Sequence, residues 1–274
     1  MEFERGTQLK GYIQREVKEK QIHSNYGYTY YFCRNFLERL FAEAPDTFVL
    51  KGSFSQFTNL GKPIRPLTDM DIVTPGNIGE ANDAVLSLVN SDNLLKYEIK
   101  QKFVTTNATI NYRFLCKFDK IERVISMDLR KQDDLLQMKK ELPIYFSKDR
   151  TFDVNAITLE EHFANKLYIA LLNLKLNEKL GKDFRRFKDF YDIHGILSNG
   201  NLDENLVRYF LTERIRTDQF LAGYKFDGNL FTKEFINTYS EEFEEDSKKY
   251  GFDPNVKFSD VIDVTNEAIT KLKR

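Results

Sequence analysis

Tryptophan is absent from the 274 residues, and cysteine occurs only as Cys33 and Cys116, far apart and without a histidine beside either. Lacking C-x-x-C spacing, the pair argues against a zinc site and against a disulfide framework, and a reducing cytoplasm fits. No apolar run approaches the ~18 residues that span a bilayer. The first segment, "MEFERGTQLKGYIQREVKEK", is charged throughout, so neither export nor membrane insertion is expected. Charge of one sign is missing as well: 41 basic against 42 acidic residues leave a formal net charge of -1. Any contact with nucleic acid must therefore use a local basic surface rather than the field of the whole molecule. There is no G-x-S-x-G, Walker loop or Rossmann fingerprint, which disfavours hydrolase, P-loop and dinucleotide readings. His23, His162 and His194 do not cluster at metal-ligand spacing.

What is present suits a folded chain. The sequence is 41% hydrophobic and 30% charged, with 24 Phe and 14 Tyr to build cores. Its length exceeds the usual size of a single core, so two lobes are expected. From about Gly6 to Ala44 two helical stripes run through Leu9, Ile13 and Val17, then through Phe32, Phe36, Leu37 and Leu40. "TFVLKG" and "MDIVTP" have strand length, residues 79 to 96 regain a helical pattern, and "NATINYRFLCKFDKIERVISMDLRK" reads as a hairpin with its tip near Asp119 and Lys120. From residue 158 onward the pattern is helical. Thr158 and Glu161 match a capping box that opens a helix with the stripe Leu159, Phe163, Leu167, Ala170, Leu171 and Leu174. "DFRRFKDFYDIHGIL" forms a second helix, antiparallel to the first. The expected class is α+β: an N-terminal lobe, 1–150, with a small mixed or antiparallel sheet backed by helices, then a mostly helical lobe, 151–274.

The sharpest chemical signal is "KGSFSQFTNLGKPIRPLTDMDI", residues 51–72, read as phosphate cradle, loop and metal ligands. If Asp69-Met70-Asp71 starts a strand, period-two alternation puts both carboxylates on one face. Two such carboxylates suit Mg²⁺, which prefers oxygen ligands and also takes substrate phosphates. Gly52 permits close backbone approach to phosphate, and Ser53 offers an N–H and a hydroxyl. By spacing alone a D-x-D is common and usually means a solvated pair or a turn. Asp128, late in a strand, is the candidate third carboxylate; its plainer reading is an edge residue facing water.

"FVLKGSFSQF" with "RPLTDMDI", "TLEEHFANKLYIAL" and "RRFKDFYDIHGIL" together resemble, in the right order, three motifs of the AbiEii/AbiGii toxin family. That family lies within the DNA polymerase β-like nucleotidyltransferase superfamily, and the resemblance spans roughly residues 6 to 200. The family usually has Gly-Gly where this chain has Gly52-Ser53, which instead matches the wider superfamily's Gly-Ser. The resemblance implies that the N-terminal lobe is the nucleotidyltransferase core and that Asp69 and Asp71 bind Mg²⁺. It also implies that Lys51, Gly52, Ser53, Arg65 and Lys166 contact the NTP, and that Asp189 completes the active site. Read bottom-up, Lys166 borders an apolar stripe and could snorkel to water or reach a cleft, while Arg185, Arg186 and Asp189 stand at helix ion-pair spacing.

The function this implies is Mg²⁺-dependent transfer of a nucleoside monophosphate from an NTP to an acceptor hydroxyl. The acceptor implied is RNA, tRNA in particular, and the setting a bacterial toxin–antitoxin or phage-defence pair with a cognate antitoxin encoded alongside. Asp128 or Asp189 would assist the attacking hydroxyl. A basic surface with Arg185, Arg186 and Lys188 would favour RNA. The rival readings are a nucleotide-binding regulator without turnover, and a transferase acting on a small molecule or a partner protein.

Overall fold

The structure is a computed structural model that describes residues 3–19, 23–90, 94–105, 108–133, 137–143, 151–181, 186–223 and 230–272. The chain divides into two compact units, Met1–Ile157 and Thr158–Arg274.

In the first unit, α1 (Gly6–Glu19) and α2 (Ser24–Glu43) precede β1 (Val49–Lys51), α3 (Gly52–Leu60), β2 (Asp69–Thr74) and α4 (Ile78–Asn90). Five strands follow: β3 (Lys96–Val104), β4 (Ile110–Phe118), β5 (Ile121–Lys131), β6 (Gln137–Pro143) and β7 (Thr151–Ile157). They form one mixed sheet in the order β3-β4-β5-β2-β1-β7-β6. The β2–β5 and β1–β7 pairs are parallel and the others antiparallel.

Alternation assigns the two faces of this sheet. Met70 and Ile72 of β2, Tyr112, Phe114 and Cys116 of β4, and Met127 and Leu129 of β5 are buried in one core with Phe32, Phe36, Leu37 and Leu40 of α2. There Phe36 packs on Phe114 and Tyr97 with ring centroids 4.8 and 5.0 Å apart, and the Tyr97 hydroxyl donates to the Phe32 carbonyl at 3.1 Å. Cys33 and Cys116 are free thiols inside this core, used as small apolar groups. The other face of β2 carries Asp69 and Asp71. The hairpin tip lies at Asp119, whose φ of 52° is left-handed and whose Oδ2 accepts a 3.0 Å bond from the Gly6 N–H at the start of α1.

In the second unit, α5 (Leu159–Leu180), α6 (Phe187–Asn199), α7 (Glu204–Thr217), α8 (Lys233–Tyr250) and α9 (Phe258–Leu272) pack around an aromatic cluster. Phe190 meets Phe231 edge-on at 4.7 Å, Phe243 stacks on Phe258 at 4.7 Å, and Tyr191 stacks on Phe252 at 4.0 Å. The Thr158 hydroxyl caps α5 by accepting from the Glu161 N–H at 3.2 Å, and Gly181 ends the helix at a φ of 61°. The Glu161 carboxylate, itself buried, faces Arg214 of α7 at 3.5 Å.

The α+β class holds, with two corrections. Residues 52–60, expected as a loop, are the helix α3, whose stretch Ser53–Thr58 is buried without interruption. Strands β3, β6 and β7 were not anticipated, and β7, pairing in register with β1 and β6, belongs to the first unit although an expected boundary at 150 puts it in the second. Residues 183–185 of the expected helix lie outside the described residues, and α6 begins at Phe187. Among the described residues no helix is long and apolar enough to cross a membrane.

Candidate functional site

The site is built where β1 passes into α3. Lys51 is both the last residue of β1 and the cap of α3, and its side chain makes no capping bond. Gly52 turns the chain with a φ of +59°. The first-turn N–H groups of a helix have no partner inside the helix, and the positive end of its dipole lies there, so an anion is favoured at this end. Within that turn Ser53 is only 4% exposed, and among the described residues its Oγ has no hydrogen-bond partner. A buried hydroxyl without a partner is costly unless something else supplies one.

The helix is fixed from behind. Ser55 Oγ and Asn59 Nδ2 both donate to the Ile157 carbonyl at the end of β7, each at 3.0 Å. Antiparallel pairing of β1 with β2 sets Asp71 opposite Lys51. This register presses the Asp71 carboxylate against Gly52: a Cβ at position 52 would stand 1.9 Å from Asp71 Oδ2 and 2.8 Å from its Cγ. Position 52 thus needs glycine twice, for its backbone angle and for the acid beside it. Asp69 shares the face of Asp71, two residues earlier, with its Oδ1 accepting from the Thr68 hydroxyl at 3.2 Å. On the neighbouring strand Asp128 pairs in register with Asp71, and its carboxylate accepts from the Asn111 amide on β4.

Lys51 Nζ donates to Gln132 Oε1 at 2.8 Å, and Arg65, ahead of β2, is buried. Among the described residues no group of three or more His, Cys, Asp or Glu side chains is arranged to hold a metal ion by itself. A pair of carboxylates is nevertheless a fitting donor set for Mg²⁺, which takes one or two carboxylates and fills its octahedron with waters and substrate phosphates. The unpartnered Ser53 hydroxyl and the glycine beside it are groups that suit a phosphate oxygen.

The remaining expected residues lie in the second unit. Lys166 of α5 reaches two buried carboxylates of α6, Asp189 Oδ1 at 2.7 Å and Asp192 Oδ2 at 2.9 Å. Arg186 Nε meets Asp189 Oδ2 at 2.6 Å. Burial pushes the Asp189 pKa up, but the Lys166 and Arg186 charges and their hydrogen bonds outweigh it and hold the carboxyl below the ordinary 3.8. Arg185 lies outside the described residues. The structure therefore groups Lys51, Gly52, Ser53, Asp69, Asp71 and Asp128 in one unit, and joins Lys166 to Asp189 in the other. Sequence reasoning missed Asn111 and Gln132. Counting outward from the two-residue hairpin turn pairs Asn111 with Asp128, so the first was within reach; the second depends on how β1 and β5 neighbour β2.

A mixed sheet that presents a Gly-Ser turn at a helix start, with two acids on the adjoining strand, defines a nucleotidyltransferase fold. Residues 35–263 match the family model of the nucleotidyl transferase AbiEii toxin of type IV toxin–antitoxin systems, and the chain belongs to that family. Among solved structures, JHP933 from Helicobacter pylori is similar at 15% identity with a TM-score of 0.50, over 88% of each chain, a likeness of fold. A second H. pylori structure, described as a candidate nucleotidyltransferase, is 15% identical with a TM-score of 0.47, over 88% of this chain and 91% of that one. No curated protein matches the chain.

Two expectations follow from the geometry. Gly52→Ala forces the Asp71 carboxylate to move and strains the backbone, lowering stability by about 1 kcal/mol or more, whereas Ser53→Ala removes an unpartnered hydroxyl and leaves the thermal midpoint unchanged or slightly raised. Thermal and urea denaturation, with calorimetric titration of Mg-NTP, check both; each variant is expected to lose nucleotide affinity, and Ser53→Ala without loss of stability. In the second unit, Lys166→Met leaves buried acids with one counter-charge fewer and costs about 3–5 kcal/mol. Because Asp189's folded pKa is lowered, its stabilisation is present above about pH 4 and lost as pH falls through the folded value. Acid unfolding of Lys166→Met, followed by circular dichroism, should begin at higher pH than in the wild type.

Proposed function

We propose that this nucleotidyltransferase moves the nucleoside monophosphate of an NTP onto an acceptor hydroxyl of RNA, tRNA in particular. We place it in the cytoplasm as the toxin of a toxin–antitoxin or phage-defence pair, with a cognate antitoxin encoded alongside. The observation that carries the reading is the buried, unpartnered Ser53 hydroxyl at the start of α3, next to a glycine that the Asp71 carboxylate touches. A donor with nothing to donate to, one residue from a phosphate-permissive glycine and a metal-suited acid, is accounted for by a triphosphate.

In this reading Ser53 and the first N–H groups of α3 bind phosphate oxygens. Asp69 and Asp71 hold Mg²⁺. When bound, that ion neutralises triphosphate charge and makes the attacking hydroxyl more acidic. Lys51 and Arg65 bring positive charge to the two ends of the segment that carries α3. The acceptor oxygen bonds to the α-phosphorus, the bond between the α-phosphorus and the bridging oxygen breaks, and pyrophosphate leaves with the electron pair. Asp128 accepts the hydroxyl proton, held in orientation by Asn111. Positioning and fixed charge supply most of the rate enhancement. Lys166 and Asp189, with Asp192, tie α5 to α6 through their ion network.

Incubation with α-³²P-labelled NTPs, Mg²⁺ and total bacterial RNA tests this. Label is expected in RNA, falling more than about a hundredfold in Asp69→Asn and Asp71→Asn while both variants keep the wild-type circular dichroism. Nucleotide binding without transfer to any acceptor would contradict turnover, and label migrating with protein or a small molecule would contradict the RNA acceptor.

A further inference from the structure

The sheet face that carries the acids continues across β5, β4 and β3, where Arg130, Arg113 and Phe103 are exposed. Register places Asp71, Asp128, Asn111 and Phe103 in one row over four adjacent strands. At about 4.8 Å per strand, Phe103 stands roughly 14 Å from Asp71. The next row runs Asp69, Ser126, Arg113, Gln101.

Phe103 reaches this face because of an irregularity. The pairing of β3 with β4 shifts between Ile99 and Gln101, so that Glu98 opposes Leu115 and Gln101 opposes Arg113. In an unbroken strand Phe103 would share the face of Tyr97, which is buried in the core. A bulge that re-aims a side chain is a recurrent device beside functional sites. Its outcome here is a phenylalanine 47% exposed, on the side of the sheet that bears the carboxylates.

Beyond the acids, this face carries two arginines. Arg113 and Arg130 are exposed, and neither forms an ion pair with a described residue. Arg130 follows Asp128 by two residues on the same face of β5. A molecule with a net charge of only -1 gains nucleic-acid affinity through such a local set of cations. An aromatic ring beside unpaired arginines is how single strands are held without sequence readout, by base stacking and phosphate neutralisation.

We propose that the open face of β3, β4 and β5 is the acceptor platform: a single-stranded RNA end lies along it, a base stacks on Phe103, and Arg113 and Arg130 neutralise its phosphates. The row from Phe103 to Asp71 then leads the terminal hydroxyl to the acids. The assignment rests on the nucleotidyl-transfer reading above and adds the surface that holds the second substrate. Gln101 offers an amide toward the same strand.

Fluorescence anisotropy with a short labelled single-stranded RNA oligonucleotide reads the platform, and calorimetry with Mg-NTP reads the nucleotide site. Failure of the first and failure of the second are thus told apart. Phe103→Ala is expected to weaken oligonucleotide binding about tenfold or more and to raise the acceptor KM to match, with kcat at saturating RNA and NTP affinity unchanged. Arg113→Gln and Arg130→Gln should each reduce the slope of log K against log salt by about 0.7. Tyr209→Ala, which removes an exposed ring on α7, serves as the control and should bind as the wild type does. Wild-type affinity in Phe103→Ala and Arg113→Gln would overturn the proposal, as would a wild-type protein that binds no oligonucleotide.

Discussion

The contact between the Asp71 carboxylate and the Cα of Gly52 is the constraint on which the first unit turns. It locks three things that sequence distance separates: the end of β1, the start of α3 and the acid face of β2. Any side chain at position 52 would push the acid away, and a one-residue slip in the β1–β2 register would move the acid to the core side. The buried face of the sheet supports this joint, because Leu50, Met70 and Ile72 beneath it are fully packed and cannot yield. The hydrogen bonds from Ser55 and Asn59 to Ile157 hold α3 at its far side, so the helix start cannot retreat from the acids.

Much of this was legible in the chain. Period-two alternation in "DMDIVTP" puts Asp69 and Asp71 on one face while Met70 and Ile72 go to the core, and the hairpin about Asp119 follows from the β-branched and aromatic runs on either side of it. The helices of the second unit announce themselves through Thr158 at the cap and the stripe from Leu159 to Leu174. Other parts were hidden for physical reasons. In "GSFSQFTNL" six consecutive residues are buried, so no amphipathic period marks α3, and its Ser, Thr, Phe and Asn residues are indifferent helix formers whose state is set by packing. Strand β3 is an edge strand with a bulge and many charges, which breaks the alternation expected of a strand. Strand β7 is defined by parallel pairing with β1, about a hundred residues away, and such long-range pairing leaves little local trace.

The candidate site shows the same division. The residue types and their order could be read, but not the touching of Gly52 and Asp71, which requires the register of β1 and β2. Lys166 and Asp189 were each singled out by resemblance, and spacing offered Arg186 to Asp189; the structure pairs Asp189 with Arg186 and also with Lys166, which Asp192 shares. Two buried carboxylates sharing one lysine form a network in which each charge is satisfied only while both helices stay in place. This is a means of fixing α5 against α6, in a unit whose core is otherwise aromatic packing without direction.

Both units thus use charge at buried or half-buried positions, to different ends. In the second, opposite charges neutralise one another completely enough to lower the Asp189 pKa despite its burial. In the first, the acids of β2 share a face and Ser53 keeps an unused hydroxyl, an arrangement that, in the proposed function, a cation and phosphate oxygens complete. The direct measurement is anomalous diffraction from crystals grown with Mn²⁺ and a non-hydrolysable NTP analogue. The account predicts a manganese peak coordinated by Asp69 and Asp71, with a phosphate oxygen accepting a hydrogen bond from Ser53 Oγ. Manganese bound elsewhere, or an analogue whose phosphates leave the Ser53 hydroxyl untouched, would contradict it.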